Sequence, residues 1–399
     1  MQATIGTEVM DYSIIRYFIY VLALGPFVYY ALALVTAISY IHSRKRTPLS
    51  ARTFAPPASI LKPVRGLDHC AYENFASFCR LDYPEYEVVF CVSDTQDPVI
   101  PVVEKIQLDF PERQIRLLIG AHKAGASSKV NKLCRLAREA KFDLLVISDS
   151  DVRVSPNYLR DVVAPFEDPG VGAVTAFFRS EVAGSLGATL DGVGSGVEFA
   201  TAALLAQWLE GIRFTLGATM ATTKARLSEI GGFEAIRNHY VDDYELGSRI
   251  AALGYSIKLA RDPVLLVYPR ETLHQFILHE LRWMIGLRNV RAGGHAAVAF
   301  TFGLPWTILA AAVAPTQAIA ALYILAYLFL RYSVYWVVGV WALNDPVARR
   351  WWILAPVRDA IHFGVWVASF FSNKIRWRGL EFHVKRGLLI PVVNGRETK

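Results

Sequence analysis

Leu144-Leu145-Val146-Ile147-Ser148-Asp149-Ser150-Asp151 is the stretch on which the fold turns. Its apolar residues follow one another without polar alternation, the pattern of a strand covered on both faces. The run then enters D-x-D directly. A second run, residues 87–92 (EVVFCV), has the same character and enters Ser93-Asp94-Thr95-Gln96-Asp97. Residues 59–61, 115–119 and 172–176 are further candidate strands, and residues 72–80 and 99–109 are candidate helices. This alternation specifies an α/β domain with a mostly parallel sheet. In such sheets ligands bind beyond the carboxyl ends of the strands, where both acidic turns fall.

D-x-D places two carboxylates on one side of an extended turn. Asp149 and Asp151 so arranged suit a hard divalent cation, Mg²⁺ or Mn²⁺, which takes carboxylate and phosphate oxygens together. Strand-end aspartates also cap following helices, an alternative that applies most directly to Asp94. A third acidic cluster, Val241-Asp242-Asp243-Tyr244-Glu245, opens an amphipathic helix ending near Gly254. Acids at a helix N-terminus are favoured by the dipole. Adjacent carboxylates also raise one another's pKa, which suits a general base. Farther on, His279-Glu280-Leu281-Arg282-Trp283 lies in a helical stretch, residues 272–291. The zinc-peptidase pattern H-E-x-x-H fails there, because position 283 is Trp. Arg282 offers a fork for phosphate and Trp283 a flat stacking surface; both also serve as anchors at a membrane surface.

Outside the α/β region the composition changes. The chain has 399 residues, 53% of them hydrophobic and 19% charged, with mean hydropathy +0.31. Intrinsic disorder is excluded, and four cysteines are too few for a disulfide scaffold. The apolar excess is clustered. Residues 17–40 contain no Asp, Glu, Lys or Arg; at ~1.5 Å per residue they extend about 36 Å, enough to cross a bilayer core. The run is too long for a signal peptide. Residues 296–330 are also uncharged; Arg331 interrupts, and residues 332–343 continue. A third stretch, 351–371, contains Arg358, Asp359 and His362, which suits an interfacial or re-entrant segment. The expected order is an N-terminal transmembrane anchor (1–52), an α/β domain (53–271), an interfacial helix (272–294), C-terminal transmembrane segments (295–373) and a basic tail (374–399). Arg44, Lys45, Arg46 and Arg52 follow the first span, so the positive-inside rule places the domain in the cytosol and the N-terminus opposite. The basic tail, with Lys374, Arg376, Arg378, Lys385 and Arg386, asks for an even number of C-terminal crossings. Cys70, Cys79, Cys91 and Cys134 form no CxxC pair and suit reduced core thiols. The net charge of +7 needs no nucleic acid to explain it, since its clearest cluster flanks a membrane span.

Taken in order, Asp94, Asp149-Ser150-Asp151, Asp243 and Arg282-Trp283 give D, D-x-D, D, Q/R-x-x-R-W. This set resembles the membrane-bound inverting glycosyltransferases, the ceramide glucosyltransferase family above all. Bacterial hopanoid-associated glycosyltransferases are similar over the same length. Supporting strings are Ser59-Ile60-Leu61-Lys62-Pro63, Ser128-Lys129-Val130-Asn131-Lys132-Leu133 and Lys374-Ile375-Arg376-Trp377-Arg378-Gly379. The resemblance implies a GT-A type domain that binds a UDP-sugar. It implies that Asp94 contacts uridine, that Asp149 and Asp151 hold nucleotide and metal, that Lys129 and Asn131 match a donor-binding stretch, and that Asp243 is the catalytic base. Arg282 would meet the pyrophosphate and Trp283 the sugar or acceptor. The sequence departs from the pattern at His279, where Q or R is usual; an imidazole titrating near 6.5 is no assured positive charge.

The resemblance implies a lipid acceptor, and a domain tied at both ends to a bilayer suits one. The membrane would be a bacterial inner membrane or a eukaryotic endomembrane. Within this reading the transferred sugar is glucose on a ceramide-like lipid or N-acetylglucosamine on a hopanoid. A processive polysaccharide synthase shares Q/R-x-x-R-W but needs more C-terminal helices to make a pore. A transporter would show repeats, and a scaffold has no use for this ordered set of charges.

Overall fold

The computed structural model describes residues 2–45, 54–121, 125–377, 379–393 and 396–397. Arg46, Arg52 and Arg378 lie outside them.

The strands of the α/β domain are β1 (Ala58–Pro63), β2 (Tyr86–Val92), β3 (Gln114–Ile119), β4 (Leu144–Ile147), β5 (Val152–Arg153), β6 (Val171–Thr175), β7 (Phe178–Val182), β8 (Met220–Thr223), β9 (Ser256–Leu259) and β10 (Val264–Tyr268). Seven form one sheet in the order β3-β2-β1-β4-β8-β6-β9. β3, β2, β1 and β4 are mutually parallel, and β8 runs antiparallel to both β4 and β6. The register pairs Leu61 with Ile147 and Pro63 with Cys91, so β1, β2 and β4 end at one edge. β5, β10 and β7 form a second sheet. Asp149-Ser150-Asp151 is therefore the turn that carries the chain from one sheet to the other. Val267 N–H donates to the Asp151 carbonyl at 2.9 Å and clamps that turn.

The central strands are apolar throughout because both faces are covered. Ile60, Phe90 and Val146 face one core with Phe75, whose ring lies 4.9 Å from that of Phe90. Leu61, Val89, Leu145 and Ile147 face the other core with Leu133 and Leu246. Each such large side chain contributes on the order of 1.5–3 kcal/mol. The helices covering these faces are α2 (Ala71–Cys79), α3 (Ile100–Asp109), α4 (Ser128–Glu139), α5 (Tyr158–Val163), α7 (Lys224–Glu229) and α8 (Asp242–Ala252), whereas α6 (Leu186–Leu209) packs with α1 and the C-terminal helices.

The remaining helices, which include the candidate membrane spans, are α1 (Gln2–Lys45) and a C-terminal group: α9 (Leu273–Val290), α10 (Ala292–Ala297), α11 (Gly303–Ala312), α12 (Gln317–Val334), α13 (Pro346–Trp351) and α14 (Ala355–Ser369). Among the described residues, Ser13–Arg44 and Gln317–Ala342 are long and apolar enough to cross a membrane. The pair Ala292–Thr301 and Gly303–Ala312, bent by 52°, is a third if counted as one span. The uncharged stretch 296–330 is thus not one rod. It bends at Phe302, where Tyr30 of α1 accepts from Gly303 N–H and donates to the Thr301 carbonyl, both at 3.0 Å. It breaks again before Thr316, which caps α12.

Arg331, which interrupts the apolar sequence, does not interrupt the helix. It is buried and bonded to Asp359, with Glu198 of α6 at 3.4 Å. Arg358 is 1% exposed and pairs with Glu280 at 2.9 Å and Glu198 at 3.4 Å. A Cβ on Gly194 would overlap the Arg358 guanidinium, so α6 must present glycine there. The charges of stretch 351–371 therefore join a buried network with α6 and α9.

Residues 374–393, expected as a basic tail, form strands β11 (Lys374–Trp377), β12 (Leu380–Lys385) and β13 (Leu388–Val393); with β14 (Arg396–Glu397) they make an antiparallel sheet. Ile375, Phe382, Val384 and Leu389 pack on Tyr240 and Ile285. Their alternation with polar residues is the period of a half-buried sheet.

Replacing Arg358 with Met strands Glu280 without its guanidinium and leaves Glu198 with Arg331 and His362. Loss of one partner from a buried pair costs about 3–5 kcal/mol. A markedly lower thermal unfolding midpoint in detergent is expected; an unchanged midpoint would refute a structural role for the network.

Candidate active site

The carboxyl edge of the main sheet gathers acids around two lysines. Lys62, the penultimate residue of β1, is buried and donates from Nζ to the Asp149 carbonyl at 2.5 Å. Its ammonium also lies 3.9 Å from the Phe78 ring centroid, a cation–π contact. Burial pushes its pKa down to about 7, against the pull of Asp149, Asp151 and Asp68. Lys62 thus fixes the backbone of the D-x-D turn, and Ser150 Oγ bonds to Asp68 on the other side. Asp151 Oδ1 is buried without a hydrogen-bond partner. Burial first, then Asp149 and Asp68, push the Asp151 pKa up to about 7.

Asp149 Oδ1 lies 2.8 Å from Lys129 Nζ, and the same ammonium lies 3.3 Å from Asp242 Oδ2. α4 delivers Lys129 in its first turn, where Ser127 caps the helix by accepting from Val130 N–H. Burial alone would lower the Lys129 pKa; Asp149, Asp242 and Asp243 outweigh it and hold the amine protonated. Asp243 begins α8. Its Oδ2 accepts from Gly217 N–H at 2.9 Å and its Oδ1 from Tyr244 N–H at 2.8 Å. Burial first, then Asp242, push its pKa up to about 7.

Gly217 is the meeting point. A Cβ there would stand 3.2 Å from Asp149 Oδ2, 3.3 Å from Asp243 Oδ2 and 3.5 Å from Lys129 Nζ. D-x-D and the third acidic cluster, far apart in sequence, thus share one small volume. Asp94 stands apart at the end of β2, exposed, with Oδ1 accepting from Gln96 N–H at 2.9 Å. The Asn131 amide is engaged at both ends by Gly125, accepting its N–H and donating to its carbonyl, each at 2.8 Å. That pairing ties Gly125 to α4.

α9 begins with a capping box, Thr272 with Gln275. Its H-E-L-R-W residues fan out. Glu280 reaches Arg358. Arg282 donates to Tyr240 Oη at 3.3 Å and lies 5.8 Å from the ring centroids of both Trp283 and Trp377. Trp283 Nε1 donates to His279 Nε2 at 2.9 Å, and His279 Nδ1 lies 2.6 Å from Asp191 Oδ2. The sheet β11–β13 closes this region. Tyr240 N–H donates to the Gly387 carbonyl and Leu389 N–H to the Asn238 carbonyl, both at 2.8 Å. Tyr240 is the last residue but one before Asp242.

The donor set fits a divalent cation at Asp149 and Asp151: an orphaned buried carboxylate oxygen faces further acids, and their repulsion is what a cation relieves. Asp191, Glu271 and His279 also converge, with one donor atom of each within 4.8 Å of the others. There, however, Asp191 and Trp283 already engage both imidazole nitrogens. Sequence reading passed over Lys62, Asp68, Gly217, Asp191, Tyr240 and Trp377. Lys62 and Trp377 stood inside quoted motifs, without a role.

The sequence profile of glycosyl transferase family 21 matches residues 18–390. The chain belongs to that family. Family 21 relatives include ceramide glucosyltransferase 3 of Caenorhabditis elegans, 24% identical over 63% of this chain and 54% of its own. Ceramide glucosyltransferase of Gibberella zeae is 32% identical over 32% of this chain and 27% of its own. The chain spans about half the length of the Caenorhabditis relative. Among solved structures, the mannosyltransferase PcManGT from Pyrobaculum calidifontis, in complex with GDP-Man and Mn²⁺, has TM-score 0.55 at 18% identity, covering 88% of this chain and 99% of its own. That likeness places this family 21 member in the GT-A fold.

A carboxyl whose pKa is raised on folding stabilises the fold most below its unfolded value, and that stability is lost as pH rises through about 7. Asp151→Asn removes the charged form. In metal-free buffer it should raise the thermal midpoint, more at pH 8 than at pH 5. A lower midpoint at pH 8 would contradict the crowding of acids at this edge.

Proposed function

We propose that this family 21 enzyme transfers a hexose, glucose first among candidates, from a UDP-sugar to a hydroxyl of a ceramide-like membrane lipid, with inversion. One observation carries the reading: Asp149 and Asp243 converge on Gly217 with Lys129 beside both. A donor-phosphate site and a base thereby adjoin across a single backbone position.

On this reading Asp149 and Asp151 would hold a divalent cation, which when bound would supply Lewis-acid stabilisation of charge on the departing pyrophosphate oxygens. Lys129 and Arg282 add charge-assisted hydrogen bonds to the same oxygens. Asp94 meets the nucleoside beyond the end of β2. Asp243 accepts the proton of the acceptor hydroxyl as it attacks the anomeric carbon opposite UDP. A single displacement turns an α-linked donor into a β-glycoside. Backbone N–H groups on both Asp243 oxygens hold the carboxylate in place while burial keeps it basic. Trp283 and Trp377 flank Arg282 as apolar walls for sugar or acceptor. Membrane helices on both sides of the domain support a lipid acceptor, with the domain on the cytosolic face. Nucleic acid has no part in this reading.

Asp243→Asn should retain UDP binding and lose transfer by on the order of 100-fold or more, in keeping with removal of a general base; undiminished product would end the base assignment. Wild-type turnover should fall as pH drops through about 7, since Asp243 acts only when ionised. Asp151→Ala should weaken donor binding only where Mn²⁺ or Mg²⁺ is present, and indifference of activity to a chelator would remove the cation from the mechanism. Membranes given labelled UDP-glucose, UDP-galactose or UDP-N-acetylglucosamine should label a sphingolipid from UDP-glucose. Label in a hopanoid or a long polymer would replace the acceptor assignment.

A further inference from the structure

The first position of the H-E-L-R-W motif departs from its expected residue, and its surroundings give it a distinct task. His279 lies between a buried acid and an indole. Asp191, on α6, is wholly buried. It accepts from Ser195 Oγ, one turn along the same helix, and faces His279 Nδ1 at 2.6 Å. On the far side of the ring, Trp283 Nε1 donates to His279 Nε2 at 2.9 Å. An indole nitrogen can only donate. Nε2 must therefore present its lone pair, and the ring proton must sit on Nδ1, facing Asp191. The two neighbours specify one neutral tautomer.

This arrangement fixes an otherwise free aromatic plane. Phe199 meets the Trp283 ring edge-on at 5.5 Å, and Arg282 lies 5.8 Å from its centroid. The hydrogen bond to His279 is the one that the indole N–H makes among the described residues, and it ties the ring's rotation to the imidazole. We propose that Asp191 and His279 are positioning residues that lock the Trp283 indole through an Asp–His–Trp relay, and that protonation of His279 releases it. The proposal rests on Trp283 lining the transfer site, as argued above.

The charged and titratable groups facing this relay are few. Asp191 draws the ring towards protonation. Arg358 of α14 acts on Asp191, and Tyr268 of β10 lies beside it. Glu271, just before α9, faces both Asp191 and His279. On the helix itself Glu280 favours the imidazolium and Arg282 opposes it. Added to Nε2, a proton points at the indole N–H. Two donors then oppose each other, and the Trp283 bond is lost. Glutamine can reproduce the neutral relay, its amide N–H on Asp191 and its carbonyl accepting from the indole, with no proton to gain. Leucine can do neither.

The full chain labelled with ¹⁵N-tryptophan in detergent tests this directly. The Trp283 indole resonance is the one that Trp283→Phe removes. It should shift with pH along a single imidazole-type titration in the wild type and be independent of pH in His279→Gln. In steady-state transfer, His279→Leu should lower kcat on the order of 10- to 100-fold, the scale of a small misplacement, with donor KM unchanged. His279→Gln should stay within a few-fold of wild type. Its acid limb should have a limiting slope in log kcat against pH lower by one, with the limb from Asp243 remaining. An indole resonance that does not titrate in the wild type, or that titrates in His279→Gln, overturns the relay. So does a His279→Gln enzyme as impaired as His279→Leu at equal thermal midpoint. Failure of the functional reading looks different: no lipid product from the wild type, while the indole still titrates.

Discussion

Five carboxylates meet two ammonium groups at the carboxyl edge of the main sheet, and most of the domain is arranged around that imbalance. Asp149 and Asp242 share Lys129, while Lys62 holds the backbone beneath Asp149. Asp68, Asp151 and Asp243 have no lysine of their own. The partial burial of Asp151 and Asp243 is tolerable because β1 and β4 are anchored in two apolar cores, which fix the chain up to the point where the acids begin. The same burial that costs stability makes the acids useful. It leaves Asp151 short of a partner for one oxygen and leaves Asp243 basic near neutral pH.

The H-E-L-R-W helix connects this edge to the C-terminal helices and to α6. Glu280 turns into the network of Glu198, Arg358 and Arg331, and Arg282 turns towards the C-terminal sheet. His279 and Trp283 turn towards α6. One helix thus connects α6, α14 and the C-terminal sheet, reaching α6 directly at Asp191 and, two turns on, at Glu198 through Arg358. Charges that look out of place in an apolar C-terminal sequence are the complements of Glu198 and Glu280.

The strands were legible because continuous apolar runs have few other uses, and the acidic turns because each follows such a run. The nearness of Asp149 to Asp243 was not legible in spacing. It depends on β8 folding back antiparallel to β4, which brings Gly217 between them. Lys62 was hidden because a lysine near a strand end looks like a solvated terminus, whereas here it points inward under the D-x-D turn. Asp191 was hidden among the small residues of α6, whose glycines suggest only close packing. The bend at Phe302 breaks no charge pattern, so an uncharged run gave no warning of it. The C-terminal sheet was masked by its basic residues, although Ile375, Phe382, Val384 and Leu389 alternate as a half-buried sheet requires.

That sheet also imposes an order in time. The backbone of Asn238 and Tyr240, which leads into the acids of α8, is completed by Leu389 and Gly387. During synthesis those partners emerge after α1 and α9–α14 have been made. The strands of the main sheet come earlier in the chain, but the loop that leads into Asp243 waits for Gly387 and β13. On the proposed reading, a nascent enzyme is seated beside its lipid before it is able to spend its sugar donor.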